Sequence, residues 1–232
     1  MIRQLPLPLA FNPDHDFVEY HPGINAEVVR HLRDAASGQG EAFIYLWGPA
    51  GLGKTHLLHA CCREADHAGL AVSYLPLRAL HEHGGKVLDG LAEQGLVCLD
   101  DLEAVAGNAD WEQALFDLFN RLRDSGHGFI ITALSPPGDV PIILPDLKTR
   151  LAWGLTLRLR DFSDADKIAA LTLRARLLGL DLPPSVGRFL LSNYRRDLPG
   201  LMELLERLDR GSLAAKRKLT IPFLKSFLAE NL

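Results

Sequence analysis

The octet Gly48-Pro49-Ala50-Gly51-Leu52-Gly53-Lys54-Thr55 limits what this chain can fold into more than any other stretch. It fits G-x-x-x-x-G-K-[ST], a loop that wraps nucleotide phosphates in its backbone N–H groups. Ala42 to Trp47, just before it, is apolar, β-branched and aromatic, and reads as a buried strand. Thr55-His56-Leu57-Leu58-His59-Ala60, just after it, begins a helix. Strand, glycine loop and helix N-terminus form an anion site, because free N–H groups and the positive end of the helix dipole converge there. Lys54 is expected to neutralise the outer phosphates, and the Thr55 hydroxyl to ligate Mg²⁺. The alternative is a glycine-rich turn with an exposed lysine.

A second stretch completes such a site. Leu96-Val97-Cys98-Leu99-Asp100-Asp101 is a hydrophobic strand ending in two acids. Asp100 is placed to enter the Mg²⁺ coordination sphere and Asp101 to polarise a water. The alternative is an acidic strand-to-loop turn. Further apolar runs at Ala71–Leu75 and Gly128–Ala133 read as core strands, the latter broken by Pro136-Pro137-Gly138. Between them, Trp111, Leu115, Leu118, Phe119 and Leu122 recur at helical spacing and give one buried face. Strands alternating with helices predict an α/β fold, a parallel sheet covered on both faces.

The 232 residues, 47% of them hydrophobic, suffice for one good-sized core and a small second domain. From Phe162 onward the pattern becomes helical. Ser163 with Asp166 three residues later resembles a capping box, for a helix to about Leu178. Helices are also predicted over Pro184 to Asn193, Pro199 to Arg210, and Ile221 to Ala229 after a Thr220 cap. Asn25 is a plausible N-cap for a helix over Ala26 to Ala36. The expected organisation is an N-terminal arm (1–12), an α/β nucleotide-binding domain (13–160) and a helical lid (161–232).

The net charge of -4 argues against an extended nucleic-acid surface. Lys216-Arg217-Lys218 and Arg195-Arg196 are short charge runs read as solvated helix ends. Cys61, Cys62 and Cys98 match no metal spacing and are odd in number, so buried thiols are expected. His81 and His83 are read as surface residues. No apolar run approaches a membrane span, and the N-terminus does not read as a signal peptide, so a cytoplasmic protein is expected.

Gln4-Leu5-Pro6-Leu7-Pro8-Leu9 is extended, because its prolines disfavour helix. Leu5, Leu7 and Leu9 could lie on one side as a ligand for an apolar groove. The alternative is an arm packed on its own domain.

Leu52-Gly53-Lys54-Thr55-His56-Leu57-Leu58-His59-Ala60 resembles the P-loop and following helix of the DnaA branch of AAA+ ATPases, and Asp100-Asp101 resembles its paired acids. Phe17-Val18, then Gly23 and Asn25-Ala26, resembles the segment lining the adenine pocket in that branch. An initiator of this branch is expected to continue into a helix-turn-helix domain, for which 232 residues leave no room. The chain is instead similar to the short Hda proteins, which inactivate the initiator. The similar stretches include Trp111-Glu112 through Asn120-Arg121, Leu144-Pro145-Asp146-Leu147 through Arg150-Leu151, and Lys218-Leu219-Thr220-Ile221-Pro222-Phe223.

The resemblance implies a regulatory AAA+ protein that binds an adenine nucleotide (ADP or ATP) with Mg²⁺ and forms homo-oligomers. Its implied partners are the DnaA initiator and the replicative sliding clamp, the β subunit of DNA polymerase III. Gln4, Leu5, Leu7, Pro8 and Leu9 match the clamp-binding peptide. Phe17, Val18, the octet and His56 match nucleotide contacts, and Arg196, three residues from the expected sensor position, is the nearby candidate for a further one. Arg150 matches the arginine finger, with an ion pair to Asp146 as its structural alternative. Two departures weaken an ATPase of the chain's own. Leu134 stands where the branch carries a polar first sensor, which reassigns that role to Thr132 or Ser135, and Pro199 stands where the second sensor arginine is expected. The competing reading is an autonomous ATPase such as a helicase loader.

Overall fold

The predicted apolar runs pair side by side in one parallel sheet of the computed structural model, which describes residues 15–194, 197–211 and 219–231. In chain order the elements are α1 (Ala26–Ala36), β1 (Phe43–Trp47), α2 (Lys54–His67), β2 (Val72–Pro76), α3 (Leu77–Leu80), β3 (Leu96–Asp100), α4 (Ala109–Ser125), β4 (Gly128–Ala133), α5 (Pro145–Leu151) and β5 (Leu155–Arg158). Then come α6 (Asp164–Leu177), α7 (Pro184–Asn193), α8 (Leu198–Gly211) and α9 (Ile221–Asn231). The strand order is β2-β3-β4-β1-β5. Every residue of β3 is buried, as expected of a strand covered on both faces.

Contacts divide the described chain into two compact units. The first comprises Asn25–Arg160 together with the described residues up to Phe17. The second comprises Asp161 onward together with Val18–Ile24. That short early segment therefore groups with the helical unit rather than with the sheet.

In the first unit, Trp111, Leu115, Leu118, Phe119 and Leu122 all face the core from α4. Burying each such side chain stabilises the fold by about 1.5–3 kcal/mol. Asn108 caps this helix, its side chain accepting from the N–H groups of Asp110 and Trp111, and Gly126 ends it in the left-handed conformation. Asn25 stands at the N-cap position of α1 but makes no side-chain cap bond. Its amide instead donates to the Arg160 carbonyl at 3.0 Å and accepts from the Arg160 N–H at 2.8 Å. A remote backbone segment has outcompeted the local cap.

β5 and α5 were not anticipated from periodicity. β5 is only four residues long at the sheet edge, with two of them exposed, so no period-2 run is long enough to register. α5 is two turns long, starting at Pro145.

In the second unit, Ser163 and Asp166 form the predicted capping box, the Ser163 hydroxyl accepting from Asp166 N–H at 3.1 Å and the carboxylate from Ser163 N–H at 3.2 Å. The Ser163 hydroxyl bond also holds the Asp166 carboxyl below its ordinary pKa. Leu201, Leu204, Leu205 and Leu208 of α8 repeat at helical spacing and meet Leu171, Leu190 and Leu224 in this unit's own core. Pro199 lies in the first turn of α8, where Asp197 accepts from Gly200 N–H at 2.8 Å. Proline costs little there because that turn's N–H groups lack intrahelical acceptors.

Candidate functional site

β1 pairs with β4, and β4 with β3, so the segments leaving the C-terminal ends of these strands lie together. Open parallel sheets bind ligands at this edge, where strand order reverses. After β1 comes the octet, which turns into α2. Gly53 takes a φ of 86°, a region that a Cβ penalises. At Gly48 the constraint is also a close approach, since a Cβ would stand 2.8 Å from the Leu159 carbonyl oxygen. The first N–H groups of α2 have no acceptor within the helix and lie at its positive dipole end.

Lys54 opens α2 and is only 6% exposed. Its ammonium donates to the carbonyls of Gly48 (2.7 Å) and Pro49 (3.0 Å). Burial lowers its pKa, opposed by the charges of Glu103, Asp100 and Asp101. A cation whose hydrogen bonds go to neutral carbonyls can exchange them for phosphate oxygens with a gain in Coulomb energy.

Thr55 donates its hydroxyl to Asp100 Oδ2 at 2.7 Å, and the Tyr74 hydroxyl donates to the same oxygen at 3.1 Å. Thr132 donates to Asp100 Oδ1 and accepts from the Asp101 N–H at 3.0 Å. Burial first, and then the Asp100 charge, push the Tyr74 phenol upward in pKa, so it remains a donor. Hydroxyl and carboxylate oxygens suit Mg²⁺, which takes one or two protein oxygens and completes its octahedron with phosphate and water. Thr55 and Asp100 fit such an ion. Among the described residues no cluster of three or more His, Cys, Asp or Glu could hold a metal by itself.

Asp101 has φ 62°, the described non-glycine residue with a positive φ. Aspartate tolerates that conformation better than most residues. Its carboxylate is partly exposed and carries an ion pair. Arg78 donates Nε–H to Asp101 Oδ2 at 2.9 Å, a bond that raises the pKa of the guanidinium, and places Nη2 3.9 Å from Glu103 Oε1. The predicted water-polarising acid is therefore ion-paired.

The position where a polar first sensor is expected is apolar and outward. Leu134 is 44% exposed, and its backbone N–H donates to Glu103 Oε2 at 3.3 Å. The hydroxyl of Thr132 is engaged by Asp100 and Asp101, and the Ser135 carbonyl accepts from Tyr45.

His56 stacks on His15 with ring centroids 4.6 Å apart, and its Nε2 lies 3.0 Å from the Asp16 carbonyl oxygen. His59 packs on Tyr74 at 4.2 Å. Burial, reinforced by His15, lowers its pKa to about 4, so its ring is neutral near pH 7. Phe17 is buried with the Arg33 guanidinium 4.9 Å from its ring centroid, whereas Val18 belongs to the other unit and is exposed. All three cysteines are buried as free thiols, and burial raises the pKa of Cys61 and Cys98. His81 and His83 are exposed.

Arg150 occupies the last turn of α5. The ion pair with Asp146 is not formed. The guanidinium instead lies over the Trp153 ring, 3.8 Å from its centroid, and Nη1 is buried without a hydrogen-bond partner. The loop leading into α5 is anchored by Glu112, a fully buried carboxylate on α4. Its Oε1 accepts from Gly107 N–H (2.7 Å), and its Oε2 accepts from Ile143 (2.9 Å) and Leu144 (2.7 Å). Leu147 and Leu151 bury the inner face of α5.

Sequence reasoning brought Lys54, Thr55, Asp100 and Asp101 together and missed Arg78, Glu103, Tyr74, Glu112 and Trp153. Glu103 and Trp153 each carried a faint signal, three residues beyond Asp100 and Arg150 respectively. Gln4, Leu5, Leu7, Pro8, Leu9 and Arg196 lie outside the described residues, as do Arg195 and Lys216 to Lys218. No helix among the described residues is long and apolar enough to cross a membrane.

Residues 12–158 match the family model of the bacterial DnaA ATPase domain, and residues 164–228 match the lid domain of Hda. The fold is similar to domain III of the Thermotoga maritima replication initiation protein DnaA, with a TM-score of 0.76, 22% identity, and coverage of 93% of this chain and 95% of that one. It is also similar to AMPPCP-bound DnaA from Aquifex aeolicus, with a TM-score of 0.70, 22% identity, and coverage of 87% and 68%. A crystal structure of a DNA replication initiation factor gives a TM-score of 0.72 at 22% identity, covering 85% of this chain. This chain spans 65% of the length of that factor.

Proposed function

This chain belongs to the bacterial DnaA ATPase family of AAA+ proteins, with an Hda-type lid, and from that premise we propose that it restrains replication initiation by activating ATP hydrolysis on a partner. The partner is the DnaA initiator, and Arg150 is the arginine finger offered to its bound ATP. A guanidinium delivered across a subunit boundary stabilises charge on the transferring phosphoryl group. Such fingers contribute about 10³–10⁵ in rate, or roughly 4–7 kcal/mol of barrier. The clamp-binding peptide at Gln4 to Leu9 would concentrate the protein on DNA-loaded clamps.

The observation that carries the reading is the contrast between Arg150 and the chain's own site. Arg150 lies over the exposed Trp153 ring with no carboxylate partner among the described residues, while Asp101 is paired with Arg78 and Leu134 is apolar. The octet with His56 holds the phosphates of an adenine nucleotide in this reading, as AMPPCP is bound by the similar Aquifex aeolicus DnaA. Thr55 and Asp100 would supply oxygens to Mg²⁺, which neutralises phosphate charge when bound. The nucleotide then serves as a grip rather than as fuel.

A second reading, an autonomous ATPase, draws on the complete Thr55–Asp100–Thr132 network. One assay separates the two. ATP hydrolysis on DnaA is measured with and without clamp loaded on DNA, using wild type and Arg150→Ala. Clamp-dependent stimulation that disappears in Arg150→Ala, with nucleotide and clamp binding retained, is the expected result. Undiminished stimulation in that variant would sink the finger assignment, and substantial turnover by the purified chain alone would favour the autonomous ATPase.

A further inference from the structure

We infer that Trp153 is a positioning residue for Arg150, an aromatic platform that holds the guanidinium in the geometry needed for delivery to a partner's nucleotide; this rests on the finger reading of Arg150. Arg150 lies in the last turn of α5 and Trp153 two residues past its end, in the turn that follows. The turn is closed by hydrogen bonds from Ala152 N–H to the Thr149 carbonyl (3.2 Å) and from Trp153 N–H to the Arg150 carbonyl (3.0 Å). The next residue, Gly154, packs directly on Phe43, and any Cβ there would overlap its ring and carbonyl. The backbone under Trp153 is thus fixed from both sides.

The ring it supports is nonetheless 58% exposed. A tryptophan half in solvent is not explained by core packing. What its face does engage is the guanidinium, with Cζ 3.8 Å from the ring centroid. An arginine side chain has several free torsions, and an unsupported one must be ordered at the moment of docking. Stacking on a fixed indole removes part of that ordering without using the N–H donors, because the contact is through the faces of the two groups. An acid partner such as Asp146 would also order the guanidinium, but it would occupy the donors and offset the charge that the phosphoryl group must meet. The aromatic platform orders the cation and leaves its charge uncompensated and its buried Nη1 donor unbonded.

The test measures stimulated hydrolysis of DnaA-bound ATP, with clamp loaded on DNA, over a range of concentrations of this protein. Four variants are compared with wild type: Arg150→Ala, Trp153→Ala, Trp153→Leu and Trp153→Phe. Retained nucleotide binding reports that each has folded. Trp153→Ala and Trp153→Leu are expected to lower the maximal rate by about ten- to a hundredfold, as a misplaced reacting group does, with little change in half-saturating concentration. Trp153→Phe, which keeps an aromatic face, is expected within about threefold of wild type. In the resting protein, Arg150→Ala is expected to shift the Trp153 emission, isolated by subtracting the Trp153→Phe spectrum.

A normal maximal rate in Trp153→Ala alongside an inactive Arg150→Ala would overturn the positioning role and leave the finger standing. A raised half-saturating concentration at normal maximal rate would overturn it too, making Trp153 a partner contact. Equal losses in the leucine and phenylalanine variants would also overturn it. Stimulation that survives Arg150→Ala would overturn both readings.

Discussion

Replacing Glu112 by glutamine keeps the side chain's shape and removes its charge. Glu112 is fully buried on α4, and its two oxygens accept from three backbone N–H groups, those of Gly107, Ile143 and Leu144. A glutamine has one acceptor oxygen. Placed toward Ile143 and Leu144, it leaves Gly107 N–H facing an NH₂ group; placed toward Gly107, it orphans Leu144. Either way one charge-assisted bond is lost and the others fall to neutral strength, a cost of about 2–4 kcal/mol. With a urea slope of about 2 kcal/mol/M, the unfolding midpoint of the sheet unit should fall by roughly 1–2 M. The assay is urea denaturation followed by tryptophan fluorescence, since Trp111 adjoins the substituted residue. Local opening should also expose the loop around Ile143 to limited proteolysis. An unchanged slope with a midpoint shift below about 0.3 M, and unaltered proteolysis, would show that the carboxylate charge does not secure this loop.

Two further perturbations test other parts of the site. Arg78→Ala should release Asp101 and raise ATP turnover by the purified chain severalfold, with little change in melting temperature because the pair is exposed; unchanged turnover would mean that Asp101 polarises no water. Acid stability should depend on His59, whose folded pKa of about 4 lies below the unfolded value near 6.5. Above pH 6.5 the ring is neutral in both states. As pH falls from 6.5 toward 4 the unfolded chain takes up the proton first, so stability is lost by about 3 kcal/mol at the end of that window. His59→Gln should flatten this limb of a stability-versus-pH curve, and an equally steep limb would refute it.

The octet and the strand ending in Asp100-Asp101 were legible because their signals are local. Glycines at positive φ, a run of buried residues and a helix start are each written within a few positions of one another. Helix faces such as Trp111 to Leu122 were readable for the same reason, since period alone selects the buried side. β5 and α5 were not, being too short to establish a period. Asn25 does mark the start of α1, but the local N-cap rule cannot see Arg160, 135 positions away, which took both ends of its amide.

What the sequence determined by itself is the glycine-rich loop between β1 and α2, the buried strand ending in Asp100 and the change from α/β to helical composition near Asp161, all set by short-range geometry. What only tertiary structure decided is how the charged groups are used. Arg78 closes on Asp101 from 23 positions away, Glu112 reaches the α5 loop across 31 and 32, and Arg150 takes an aromatic platform instead of the acid one turn back. These pairings follow from where the parallel sheet and its helices bring distant segments together. A charge's partner is a matter of distance in space and dielectric, and neither is written in the spacing of the chain.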